Sequence, residues 1–133
     1  VWRSAAQFII NHDILQYFEG DPFRIRELKR IAREMKTWGF SFTNEPGLNL
    51  SISERIYREI KLQESPDTPL RHLEKLIQVL EIIHDMELKP DVWKSQNVFY
   101  SLFKGYKNGE WVFSSAEWEA AFFRLGDLLS FRR

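Results

Sequence analysis

Cysteine is absent from the 133 residues, which removes disulfide frameworks, thiolate metal sites and thiol nucleophiles together. An excess of charge is also lacking. Nineteen basic and nineteen acidic side chains cancel, so no net field draws the chain toward nucleic acid or an anionic surface. Long hydrophobic runs are missing: the longest, Ala120 to Phe123, falls far short of the ~20 residues that cross a bilayer. No leader pattern is visible either, and the expectation is a cytoplasmic chain with no membrane partner. Histidine is scarce, and His12, His72 and His84 are scattered without metal-ligand spacing. Gly-x-Ser-x-Gly, Walker and Gly-x-Gly-x-x-Gly motifs do not occur. No catalytic group, cofactor or metal is therefore assigned.

What the chain does have is aromatic side chains, eleven Phe, five Trp and four Tyr, enough to build a real core because each large ring buries roughly 150–250 Å². The punctuation is helical. Asp21-Pro22 reads as an N-cap followed by a first-position proline. Ile25, Leu28, Ala32 and Met35 recur behind it at helical spacing, and Gly39 follows as a stop. This predicts a helix over 22–38. Thr68-Pro69 repeats the signal ahead of Leu70, Leu73, Leu76, Ile77, Leu80, Ile83 and Met86. Ser114-x-x-Glu117 reads as a capping box with Phe113 and Trp118 as its staple, followed by a stripe of Trp118, Phe122, Leu125 and Leu129. Ser51-x-x-Glu54 suggests a further box before Ile56 and Ile60. Segments 2–18, with Ala5, Phe8, Ile9, Ile14, Leu15 and Phe18 as its apolar residues, and 91–104 complete about six helices.

These elements predict an all-α fold, a single compact helical domain over 1–133 with short loops. Near 106–113, Asn108-Gly109 between aromatic residues leaves open a small hairpin or a tight helix–helix connection. The chain opens at Val1 on residues that already read as helix, the pattern expected of a piece of a longer polypeptide.

Three places are candidates for function. The first is the long connection Gly39–Asn49 with Phe40, Phe42 and Asn44; such loops are often binding sites, but large rings in a small domain are usually buried, so Phe40 and Phe42 read better as plugs for the core. The second is segment 22–38, where Arg24, Arg26, Lys29, Arg30, Arg33 and Lys36 outnumber Glu27 and Glu34. That face could meet phosphate, although a solvated or domain-facing surface fits better and nucleic acid is disfavoured. The third is Trp93, Gln96, Asn97 and Tyr100. Helical geometry places Gln96 near the centre of an apolar arc of Val92, Phe99, Tyr100 and Phe103. The four residues could form a small sugar-like site, ring plus amides; the reading that needs no ligand, and is preferred, has Gln96 and Asn97 tie neighbouring loops or helix ends to this helix. The glutamates at 117 and 119 need no catalytic role, since acids suit a helix start.

The run from Leu73 to Leu88, through Pro90 into Trp93-x-x-Gln96-Asn97-x-x-Tyr100, resembles the C-terminal helical part of an uncharacterised domain. That domain is appended to family-57-type glycoside hydrolase catalytic domains of bacteria and archaea. The resemblance covers 22–104 and implies a non-catalytic accessory domain of a carbohydrate-active protein. Its partner would be a catalytic domain of the same chain, with carbohydrate as a possible ligand. No catalytic residue is carried over, because none of the family's catalytic motifs is present. The alternative is a free-standing helical protein-interaction module.

Overall fold

A computed structural model describes residues 2–20, 22–42 and 45–130. The described chain is all-α, with six helices: α1 (Trp2–Glu19), α2 (Ile25–Trp38), α3 (Pro46–Lys61), α4 (Leu70–Asp85), α5 (Trp93–Lys107) and α6 (Ala116–Leu128). A 3-10 turn, Leu62–Glu64, follows α3. There is no strand among the described residues.

The helix ends show which signals the chain uses. At Gly39, φ is +68°, its N–H bonds the Lys36 carbonyl and the Phe40 N–H bonds the Met35 carbonyl. This is the paired end motif that favours glycine. The same pair of bonds closes α5, from Gly109 (φ +75°) to Tyr106 and from Glu110 to Gly105. The 106–113 hairpin is therefore not formed. Asn108 has φ of −84°, whereas a type I′ turn needs positive φ at both central residues; Asn-Gly here ends a helix.

Several starts differ from expectation. α2 begins at Ile25 behind Arg24, which makes no side-chain cap, so Pro22 precedes the helix; Asp21 lies outside the described residues. α3 begins at Pro46, where a missing N–H costs nothing. Ser51 thus sits inside the helix and caps nothing, and the connection after Gly39 is shorter than the sequence suggests. Thr68 does not cap α4, for its hydroxyl donates to the Leu62 carbonyl. The α6 cap is Ser115, not Ser114: the Ser115 hydroxyl accepts the Trp118 N–H at 3.2 Å. Two adjacent serines made the choice ambiguous by one residue.

Internal contacts group the chain into two compact units, 1–55 with 78–91, and 56–77 with 92–133. In the first, α1 packs on α2. Ile10, Ile14 and Phe18 of α1 are buried, as are Leu28, Ile31 and Met35 of α2 and Val79, Leu80 and Ile83 of α4. Two arginines close helix ends here, answering carbonyls that a helix leaves unpaired. Arg3 donates to the Trp38 carbonyl at 2.6 Å and lies 4.8 Å from the Phe40 ring centre. Arg55, buried at 3% exposure, donates to the carbonyls of Phe18 and Gly20 while its guanidinium covers the Phe23 ring.

The second unit is built on stacked rings. Phe99 of α5 and Phe122 of α6 stack at 4.5 Å. Gly126 permits this approach, since a Cβ there would stand 2.5 Å from Phe99 Cζ. Gly105 plays the same part for Trp111, whose indole N–H donates to the Leu102 carbonyl at 3.1 Å. Tyr106 and Phe113, 4.4 Å apart, extend the cluster.

Candidate functional site

α5 carries the first candidate group on a face that differs from the expected one. Its buried residues are Ser95, Val98, Phe99 and Gly105, so the apolar arc is rotated from the one centred on Gln96. Trp93 is 65% exposed and Tyr100 48%, and Asn97 is exposed beside them. Spaced by four and three residues, these three share one outer face. Lys104 Nζ lies 5.5 Å from the Tyr100 ring centre, adding a cation–π contact at the end of the row. Gln96 is apart from them: half-buried, it donates from Nε2 to the Leu129 carbonyl at 2.6 Å. It ties α5 to the C-terminal end of α6, answering a carbonyl that the helix leaves open.

The connection after Gly39 does not present its rings to solvent. Phe40 and Phe42 are both buried, with Phe40 stacked on Trp38 at 5.8 Å and tilted against Phe42. They plug the core of the first unit. Asn44 lies outside the described residues.

The basic face of α2 is partly neutralised in place. Arg30 meets Glu27 at 2.5 Å, Glu34 at 2.7 Å and Asp13 of α1 at 3.5 Å. Its hydrogen bond holds the Glu27 carboxyl below the usual range, and the same bond, with that to Glu34, strengthens the guanidinium's hold on its proton. Arg24, Arg26, Lys29, Arg33 and Lys36 remain on the exposed side.

α1 holds what the sequence pattern misplaced. Ala5, Phe8 and Ile9 are not on the core face; all three are exposed, Phe8 at 74% and Ile9 at 56%, and Trp2 is exposed at 83%. The core face is Ile10, Ile14 and Phe18. Polar side chains are interspersed along α1 (Arg3, Gln7, Asn11, His12, Asp13, Gln16, Glu19), so its apolar residues do not form one clean stripe. The signal was the run Phe8-Ile9-Ile10: at 100° per residue, three consecutive apolar side chains cannot share one face.

A second arrangement is invisible to motif reading. In the second unit, His72 Nε2 sits 2.5 Å from Glu59 Oε2, and His72 Nδ1 sits 2.7 Å from Gln63 Nε2. Glu59 is 6% exposed. Both ring nitrogens are engaged, so the pair is held as a polar clasp between α3, the 3-10 turn and α4. Glu59 falls on the stripe of Ile52, Ile56 and Ile60, and a charge inside an apolar stripe was the available clue. No group of three His, Asp or Glu among the described residues is placed to hold a metal ion, and no helix there is long and apolar enough to cross a membrane. Compared with protein-family models, with curated proteins and with solved structures, the chain matches none.

Proposed function

We propose that the chain is a non-catalytic helical accessory domain that docks on a protein surface through the outer face of α1. The supporting observation is the exposure of Trp2, Phe8 and Ile9 on a helix whose opposite face already forms a core. Exposed apolar patches of this kind mark interaction sites, and aromatic side chains are the ones that anchor interfaces. The resemblance carried by Trp93, Gln96, Asn97 and Tyr100 selects the partner: a glycoside-hydrolase-like catalytic domain of the same carbohydrate-active, cytoplasmic protein. The exposed row of Trp93, Asn97 and Tyr100 is compatible with weak carbohydrate contact, since rings stack on the apolar faces of sugars.

The test is twofold. The reading frame upstream of Val1 should encode a catalytic barrel, and the isolated chain should fold without hydrolysing α-glucans or other oligosaccharides. A frame with no catalytic domain would remove the glycoside-hydrolase assignment. Turnover by the pure chain, abolished by changing one of its carboxylates, would remove the accessory role.

A further inference from the structure

The charges of α2 are sorted around the helix. Arg26, Lys29, Arg33 and Lys36 fall within an arc of about 80° and make a row about 15 Å long, and all are exposed. The acids of this helix, Glu27 and Glu34, stand on the other flank, where Arg30 takes up both together with Asp13 of α1. Among the described residues, none of the row cations has an ion-pair partner.

That placement works against the helix itself. Arg26 and Lys29, Lys29 and Arg33, and Arg33 and Lys36 are like-charge neighbours at helical spacing, which destabilises a helix. Arg26 and the preceding Arg24 also stand at the positive end of α2, where anions are favoured. Local rules broken together on one exposed row mark a surface kept for contact.

The row has an apolar neighbour. Arg3, near the start of α1, reaches the Trp38 carbonyl at the end of α2, and Asp13, further along α1, reaches Arg30. The two helices are therefore antiparallel. Trp2 and Ile9 lie within about 40° of Asp13 around α1, and Arg26 and Arg33 within about 60° of Arg30 around α2, in both cases on the side away from the core. An apolar row and a basic row thus flank a seam in which Asp13, Glu27 and Glu34 outnumber Arg30.

On the reading that α1 docks on a protein, we infer that the basic row of α2 meets carboxylates of that same protein surface. The partner is acidic where it faces Arg26, Lys29, Arg33 and Lys36, and apolar where it faces Trp2 and Ile9. A phosphate backbone or an anionic bilayer would set negative charge against Asp13, Glu27 and Glu34 as well. A protein surface carries both signs of charge and can match the row alone. Because the chain has no net charge, the row acts as a selector at contact and not by steering from a distance.

The test treats the polypeptide as its gene encodes it with a water-soluble carbodiimide, which joins amines only to carboxylates in contact with them. Mass spectrometry then maps the linked peptides. Lys29 and Lys36 should link to Asp or Glu outside residues 1–133. Arg26→Glu, Lys29→Glu, Arg33→Glu and Lys36→Glu together should cut the protection of Trp2 from hydroxyl radicals several-fold, and these side chains are exposed, so the core is left intact. Links confined to carboxylates of 1–133, or no links, would overturn the inference. If Trp2 is nevertheless protected, only the acidic character of the partner falls; if Trp2 oxidises as readily as in the isolated chain, the docking reading falls with it. Retention on phosphatidylserine vesicles or on duplex DNA that the charge-reversed variant loses would give the row to phosphate and overturn the inference as well.

Discussion

Ser114 and Ser115 stand side by side before α6, and hydrogen-bond geometry separates them. Only Ser115 accepts the Trp118 N–H, so Ser115→Ala should lower stability by about 0.5–2 kcal/mol, the usual cost of a lost N-cap. Ser114→Ala, at an exposed position, should stay within about 0.5 kcal/mol. Urea denaturation of the two variants distinguishes them, and the reverse order would put the helix start back at 114. Tyr17 offers a test of a different kind. Burial pushes its phenol up to about 12 from the ordinary 10. The unfolded chain therefore releases this proton first. The stabilisation is whole below the unfolded value and is lost as pH rises from there through the folded one. Thermal unfolding between those values should show an alkaline decline that Tyr17→Phe flattens. A decline of equal size in the variant would mean that Tyr17 is not its source. Gln96 shows how far a single residue could be read. That its amide needed a partner followed from its position in an apolar helix, and the partner is the Leu129 carbonyl. Its central place in the arc did not hold, because Ser95 and Gly105 take buried positions on α5 and a hydrophobicity pattern does not count them as core.

At the scale of elements, α1 is the sharpest case. Phe8→Ser and Ile9→Ser should change the stability of the chain by no more than about 1 kcal/mol, since both side chains are exposed. Ile10→Ala and Ile14→Ala should each cost about 2–5 kcal/mol, the penalty of a buried large-to-small change. Chemical denaturation reads all four, and a large loss at Phe8 would restore the expected core face. Where the stripe was clean, as in α4 and α6, sequence and structure agree: Leu73, Leu76, Ile77, Leu80 and Ile83 are buried, and so are Phe122, Leu125 and Leu129. Where punctuation was ambiguous, the boundaries moved. Pro46 and Gly47 look like loop residues, yet a proline is equally at home in the first turn of a helix, and that is where α3 puts it. Asn108-Gly109 is shared between hairpin turns and helix ends, and the conformation of Asn108 decided between them.

For the whole molecule, helix class was legible because it rests on local periodicity and caps. The polar clasp of Glu59, Gln63 and His72 was not, because it is assembled from segments whose meeting no local spacing records. The α1 surface was half-legible: the excess of apolar side chains was in plain view, but not which of them the fold would leave outside. If this surface docks on a partner, solvent access to Trp2 and Phe8 must fall when the partner is present. Hydroxyl-radical footprinting should oxidise both readily in the isolated 133-residue chain, where they are 83% and 74% exposed. In the polypeptide as its gene encodes it, both should be protected at least several-fold while Trp93, on α5, stays reactive. Equal oxidation of Trp2 and Phe8 in the two samples would contradict the claim.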